Sequence, residues 1–299
     1  MSATETAVSS APAGEGRSPG RAAPLGHPTR FSTRLFRSEL RLIGGRRRNQ
    51  VGLLVLAVLP IVIAVVTKAT AADRRGGGDI IGQITGNGLF VALAALTVEL
   101  TMFLPLAIGM LCGDAIAGEA NLGTLRYLLT VPVSRARLLA VKYASLCAGS
   151  LWGVLMVAVP GAVVGIALFG FGPMTTLSGT QLGPWEATGR VALACLYATV
   201  CLCGLAAVGL FVSTLTEQPI AVTVAVMIFT IVSWILDSIG QLAWLHPWLL
   251  VHRWMAFTDL VRDPPVWDLV REGALVSLGY AVVFWLASWA RFAGKDVTS

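Results

Sequence analysis

Six long apolar segments constrain this chain more than any other feature of its sequence. A helix that crosses the hydrocarbon core of a bilayer needs about 20 mostly apolar residues. Segments of this kind cover residues 51–67, 88–112, 143–169, 191–215, 219–236 and 273–290. Only 13% of the residues are charged, whereas soluble domains carry roughly 25%. The sequence therefore predicts an all-α membrane protein with six transmembrane helices.

The basic residues are unevenly distributed between the segments that join these spans. From residue 30 onward, the segments on the side of the N-terminus hold thirteen arginines and lysines, and the opposite segments hold seven. Cytoplasmic loops carry an excess of Lys and Arg. We therefore predict a multi-pass protein of the cell membrane with both termini in the cytoplasm. A net charge of +6 is small for a nucleic-acid binder, so nucleic acid is not an expected partner.

The residues before the first span divide into two parts. Residues 1–29 are rich in Ala, Ser, Pro and Gly and have no apolar core, which predicts a disordered cytoplasmic tail. Residues 30–45 place four arginines on one helical face and apolar side chains on the rest: Arg30, Arg34, Arg37 and Arg41. Such an amphipathic helix suits the inner leaflet, with its arginines among anionic lipids, although an ordinary solvated face is the alternative.

A polar cluster separates the second and third spans. Asp114 and Glu119 indicate where the second helix leaves the bilayer, because a charge at the bilayer centre costs at least about 2.5 kcal/mol. Asn121 is a candidate N-cap for a short helix that would end before Pro132. Leu125, Leu128 and Leu129 would form one apolar edge of it, with Arg126 turned away. Two interpretations stay open: a polar loop with an incidental helical turn, or a rigid coupling helix presented to a soluble partner.

The same residues resemble the ABC-2-type permease family. That family has Asp, Glu, Gly-Thr-Leu, Leu-Leu-x-x-Pro-x-x-Arg and Lys between its second and third spans. The matching residues here are Asp114, Glu119, Gly123, Thr124, Leu125, Leu128, Leu129, Pro132, Arg135 and Lys142. The C-terminal sequence RFAGKDVTS is also similar to the family's usual ending. The resemblance covers roughly residues 30–299, which it identifies as one permease domain.

The resemblance implies the membrane subunit of an ATP-binding-cassette transporter, usually an exporter of a drug, peptide, lipid or ion. Its cytoplasmic coupling helix would dock on a separate ATPase subunit, present in two copies, beside a second permease copy or a homologue. The implied ATPase-coupling interface consists of Asp114, Glu119, Asn121, Gly123, Thr124, Leu125, Leu128, Leu129, Pro132 and Arg135. The chain has no phosphate-binding G-x-x-x-x-G-K-[ST] loop, so we expect no enzyme activity and no cofactor in it. ATP and Mg would be bound by the partner.

Glu99 is a second candidate functional residue, because it lies near the middle of the second span. A carboxylate at that depth marks a substrate or ion pathway by default. The alternative is a protonated or hydrogen-bonded carboxyl group, with Thr97, Thr101 or a polar group of another helix as its partner. Glu99 also supports a different function, a stand-alone secondary transporter that uses this carboxylate as an intramembrane ion or proton site. A membrane enzyme is disfavoured because the spans contain no cluster of catalytic side chains.

The segment between the fifth and sixth spans is too polar to cross the bilayer and unusually aromatic. It contains Trp244, Trp248, Trp254 and Trp267, which predicts short outer interfacial helices with tryptophans at headgroup level. His246 and His252 are six residues apart, a poor spacing for two ligands on one helix face, so no metal is expected. In the third span, two G-x-x-x-G pairs, at residues 149–153 and 161–165, predict close helix packing.

Overall fold

The structure is a computed structural model that describes residues 33–71, 87–121, 123, 134–176 and 178–294. These residues form α-helices, three 3₁₀ helices and one small hairpin. The α-helices are α1 (Thr33–Gly45), α2 (Arg47–Ala71), α3 (Leu89–Thr101), α4 (Phe103–Ala115), α5 (Ala117–Asn121), α6 (Arg135–Phe169), α7 (Pro184–Leu215), α8 (Pro219–Ser238) and α9 (Asp268–Ala293). The hairpin pairs β1 (Met174–Thr175) with β2 (Gln181–Leu182) in antiparallel register, Met174 opposite Leu182.

The all-α membrane fold is confirmed. Within the described residues, α2, α6, α7, α8 and α9 are long and apolar enough to cross a membrane, and α3 with α4 makes a sixth span if this bent pair is counted as one. α1 matches the predicted amphipathic helix. The predicted tail (1–29) and most of the predicted coupling helix (122 and 124–133) lie outside the described residues.

The second span is not one straight helix. α3 and α4 are bent by 55° at Met102. Pro105 follows closely and has no N–H to donate to the carbonyl of Thr101, which removes one bond of the helical ladder at the bend. The sequence pattern of residues 88–112 predicts continuous helix because apolar character alone does not report such a break.

α7 lies at the centre of the bundle. In its most apolar stretch 72% of the residues are buried, compared with 17% in α2 and in α9. The exposed apolar surfaces of α2 and α9 therefore fit contact with lipid, whereas α7 is surrounded by the other helices.

The third span packs closely on the second through its glycines: a Cβ built on Gly165 would lie 2.0 Å from the carbonyl oxygen of Gly88. The predicted packing role of these glycines is confirmed.

Successive spans run in opposite directions, so their ends meet in two groups. At what we call the charged end, Arg135 in the first turn of α6 donates to the carbonyl of Phe292 in the last turn of α9, at 3.3 Å. At the opposite end, Lys68 of α2 donates to the carbonyl of Leu168 in α6, at 2.9 Å. α1 and α5 belong to the charged end, and the 3₁₀ helices belong to the opposite end.

The short helices predicted between the last two spans are 3₁₀ helices: Gly240–Leu242, His246–Trp248 and Trp254–Val261. Trp244, Trp248 and Trp267 are exposed, as headgroup contacts require. The prediction is wrong for Trp254, which is fully buried. The third 3₁₀ helix packs against α7, and the Trp254 ring meets Trp234 edge to face with centroids 6.2 Å apart.

Candidate functional site

Asp114, in the last turn of α4, binds two arginines that flank the start of α2. Arg46 Nη1 lies 2.9 Å from Asp114 Oδ1, and Arg48 contacts the same oxygen. Arg48 also donates to the carbonyl of Met110, at 3.3 Å. A carboxylate near a helix C-terminus faces the negative end of the helix dipole. The two arginines offset that repulsion and tie the first span to the second.

Lys142 is the centre of a second, deeper group. This residue in α6 is 1% exposed, and its Nζ lies 2.7 Å from Glu119 Oε1 in α5 and 3.3 Å from Glu39 Oε1 in α1. Burial raises the pKa of Glu119, and the charge of Lys142 acts in the opposite direction. Buried charges are tolerated when they are paired. Together with the Asp114 group, three cationic and three anionic side chains join α1, α2, α4, α5 and α6.

Ser213, near the end of α7, holds the entrance to α5. Its Oγ accepts the backbone N–H groups of Ile116 and Ala117, at 3.2 and 3.0 Å. Unpaired N–H groups at a helix start need such an acceptor. Gly113 adds a close contact, since a Cβ built there would lie 2.5 Å from the carbonyl oxygen of Pro219. The turn from α4 to α5 is therefore fixed to both α7 and α8.

The predicted coupling interface divides into three groups in the structure. Glu119 is buried and Asp114 is nearly so, with both carboxylates in ion pairs inside the protein. Asn121 and Gly123 are exposed, and Gly123 has a φ of 68° that favours glycine. Arg135 bonds the end of α9. The remaining predicted residues lie outside the described residues: Thr124, Leu125, Leu128, Leu129 and Pro132.

Glu99 is placed in α3, three residues before the bend at Met102. Its side chain is fully buried, and among the described residues neither carboxylate oxygen has a hydrogen-bond partner. The hydroxyl of Thr97 donates to the carbonyl of Leu93, and that of Thr101 donates to the carbonyl of Thr97. The hydrogen bonds that the sequence allowed for Glu99 therefore do not form.

A cavity of about 520 Å³ lies between α1, α2, α4 and α6, beside the charged residues. Its walls are almost entirely apolar. Asn49 is the exception: its side-chain amide donates to the carbonyl of Ile43, while its buried oxygen has no partner in the described residues. This volume falls within the usual range of about 300–1,000 Å³ for small-molecule sites.

Sequence reasoning missed three contributors to this region: Glu39, Ser213, and the pairing of Arg46 and Arg48 with Asp114. Glu39 gave a signal, because it interrupts the otherwise apolar part of α1. Ser213 gave none, because a serine in an apolar span is most simply a hydroxyl bonded to its own helix. The pairing of charges that are distant in sequence could not be predicted without knowing which helices are neighbours.

The fold and its exposed apolar helices define a multi-pass, all-α integral membrane protein. A search of curated proteins finds no match to the chain. A family model described as DUF2705, protein of unknown function, matches residues 79–298. Because this match covers well over half of the sequence, the chain belongs to the DUF2705 family.

Proposed function

We propose that this protein is the membrane subunit of an ATP-powered exporter whose ATPase is a separate chain. The observation that carries the proposal is the anchoring of the segment between the second and third spans. Lys142 and Glu119 hold its two flanks together, and Ser213 holds the helix before it. A segment anchored in this way would transmit a displacement caused by a docked partner to both the second and the third span.

The resemblance of residues 114–142 to the ABC-2-type permeases supports the same proposal. In it, Asp114 and Glu119 serve as braces inside the protein, because their carboxylates are already paired. The contacts to the ATPase would come from Asn121, Gly123, Thr124, the leucine edge and Pro132, with Arg135 fastening the segment to the end of α9. Two ATPase subunits and a second permease subunit would complete the transporter, and the ATPase would bind ATP and Mg.

The cavity beside the charged end supports a substrate with an apolar body. Nearly every lining residue is apolar. The side-chain oxygen of Asn49, which has no partner within the described residues, can accept a hydrogen bond from a donor on the solute. The cytoplasmic orientation of this end follows from its arginines and the positive-inside rule. A solute would therefore enter from the inner side and leave across the membrane.

The proposed docking of the ATPase on the segment between the second and third spans is tested by Leu128→Asp, which places a charge on the predicted apolar edge. The matched control is Arg126→Asp, which changes charge in the same segment on the side predicted to face away. We expect Leu128→Asp to abolish co-purification with the proposed separate ATPase subunit, identified by its Walker motifs, and its stimulated ATP hydrolysis, and Arg126→Asp to retain both. Wild-type binding and turnover in Leu128→Asp would contradict the proposal, as would solute movement by the purified chain without any ATPase.

The cavity is tested by filling it. Gly52 lines it, and a Cβ built there has no neighbour within 4 Å. Gly52→Leu should reduce binding of the apolar fluorophore N-phenyl-1-naphthylamine, whereas Gly279→Leu, at another glycine with no neighbour within 4 Å, should not. Equal binding by the two variants would show that the cavity is not a solute site.

A second candidate function, a stand-alone secondary transporter, is favoured by one observation. The buried carboxylate of Glu99, which has no partner in the described part of the chain, lies beside a broken helix, and discontinuous helices near mid-bilayer form ion sites in such transporters. Solute transport into proteoliposomes with a proton gradient and no nucleotide distinguishes a secondary transporter from an ATP-powered exporter. Gradient-driven movement that is lost in Glu99→Gln would favour this function, and its absence in the wild type would exclude it.

A further inference from the structure

Three side chains with metal-binding groups meet beyond the last turn of α8. His252 Nδ1 lies 2.5 Å from Asp237 Oδ1, and the rings of His246 and His252 have centroids 5.5 Å apart. One potential ligand atom from each residue lies within 4.8 Å of those of the other two. All three side chains are half-buried, so the cluster remains open to water and to an ion.

The backbone explains why two histidines six residues apart can meet. On an α-helix this spacing rotates the second side chain to roughly the far side of the first. Here the chain forms successive tight turns, in which Leu249 N donates to His246 O and His252 N donates to Leu249 O. Leu249 has extended dihedral angles, φ −74° and ψ 130°, which interrupt regular helix between the turns. The spacing argument against a two-histidine site therefore does not apply.

Each imidazole is oriented by an acceptor oxygen at one of its nitrogens. His246 Nε2 lies 3.1 Å from the carbonyl oxygen of Ile239, and His252 Nδ1 faces the carboxylate of Asp237. A neutral imidazole that donates from one nitrogen has a lone pair on the other. A carbonyl partner of this kind, as at His246, orients a metal-ligating histidine and raises its basicity. At His252, the Asp237 carboxylate lies beside Nδ1, where the two groups can bind the same ion.

The local charge also favours a cation. Asp237 lies in the last turn of α8, where the helix dipole presents its negative end. The cation nearest in sequence, Arg253, is bound to Glu272 at 3.0 Å. Its charge is therefore largely compensated by a partner other than Asp237.

We propose that Asp237, His246 and His252 bind one divalent transition-metal ion of the Zn²⁺ class, with water completing the coordination. Zn²⁺ binds imidazole nitrogen and carboxylate oxygen at about 2.0–2.2 Å in tetrahedral geometry. The three side chains would close slightly around the ion. Such an ion would fasten the end of α8 to the 3₁₀ segment that follows it.

The test is Zn²⁺ binding by the full-length chain purified in detergent, measured by competition with a chromophoric chelator. We expect one ion per chain, with affinity reduced at least about 100-fold in His246→Ala and in His252→Ala. Asp237→Asn should reduce it at least about 10-fold, because a neutral amide replaces the carboxylate oxygen that binds the ion. His27→Ala is the matched control, because His27 is the only other histidine in the chain, and it should bind Zn²⁺ as the wild type does.

Wild-type affinity in the double variant His246→Ala/His252→Ala would overturn the proposal, as would a wild-type protein that binds no stoichiometric Zn²⁺. Footprinting of the wild-type chain gives a second measurement that does not depend on the folding of variants. Zn²⁺ should protect His246 and His252, but not His27, from modification by diethyl pyrocarbonate. Equal modification of His246 and His252 with and without Zn²⁺ would contradict the site.

Discussion

The two ends of the helix bundle are held together by different chemistry. At the charged end, five helices are joined through six charged side chains, two of them buried carboxylates around Lys142. At the opposite end, the ion pairs Arg190–Glu186, Arg253–Glu272 and Arg262–Asp259 each have one partner that is more than half exposed, and neutral contacts also join the elements. Gly88 N donates to the carbonyl of Gly170, at 3.2 Å, and Tyr197 donates its hydroxyl proton to the carbonyl of Arg253, at 2.5 Å.

This difference indicates which end can respond to a partner. Neutral backbone joints and close glycine contacts have one favourable geometry and change little when an outside charge approaches. The stability of a group of buried paired charges depends strongly on every member, because removal of one charge leaves its partner uncompensated. A displacement at the charged end would therefore reach α1, α2, α4 and α6 together, as a coupling function requires.

The largest expected effect comes from removal of the central cation. Lys142→Met removes the counter-charge that Lys142 supplies to the buried Glu39 and Glu119, and we expect a loss of about 3–5 kcal/mol in the free energy of unfolding. Unfolding in detergent, followed by tryptophan fluorescence, measures the change. Arg37→Met, an exposed change on α1, should alter stability by no more than about 0.5 kcal/mol. Equal stability of the two variants would show that the ion pairs do not fasten the charged end.

The next largest effect concerns the close glycine packing at the opposite end. Gly165→Ala would place a Cβ 2.0 Å from the carbonyl oxygen of Gly88, so α3 and α6 must move apart. We expect a loss of about 1–3 kcal/mol, the usual range for overpacking. In Gly189→Ala, a helical position with no neighbour within 4 Å, the same change should leave stability unchanged or raise it by up to about 1 kcal/mol. A tolerated Gly165→Ala would contradict the close helix approach.

A smaller effect is expected for the hydroxyl that caps α5. Ser213→Ala removes the shared acceptor of Ile116 N and Ala117 N, with an expected loss of about 0.5–2 kcal/mol. Hydrogen exchange at residues 116–121 should accelerate more than exchange in α9. Unchanged exchange there would show that Ser213 does not hold the turn.

The smallest effect concerns the exposed ion pair at the opposite end. Glu272→Gln breaks the contact with Arg253, but Glu272 is 59% exposed, and such pairs contribute about 0–1 kcal/mol. The same unfolding assay should show a change well below that of Lys142→Met. A comparable loss would remove the contrast between the two ends.

The spans were predictable from sequence because hydrophobic length is a local property. Five predicted segments lie largely inside one observed helix each, and residues 88–112 divide between α3 and α4. The helices extend beyond the apolar segments: α6 begins at Arg135, directly after its N-cap Ser134, because helix continues through charged residues that hydropathy excludes. Pro105 is a local signal for the bend at Met102, whereas the burial of Trp254 depends on the neighbouring elements and was not predictable.

The sequence alone determined that this chain crosses a membrane several times, because about 20 apolar residues in a row have no better solvent than lipid. It also determined that charges concentrate between the second and third spans. Only the tertiary structure decided which of those charges pair, that Glu99 is buried without a partner among the described residues, and that Asp237, His246 and His252 meet. Hydrophobicity acts residue by residue, whereas ion pairs and metal ligands require groups that are distant in sequence to meet within a few ångströms.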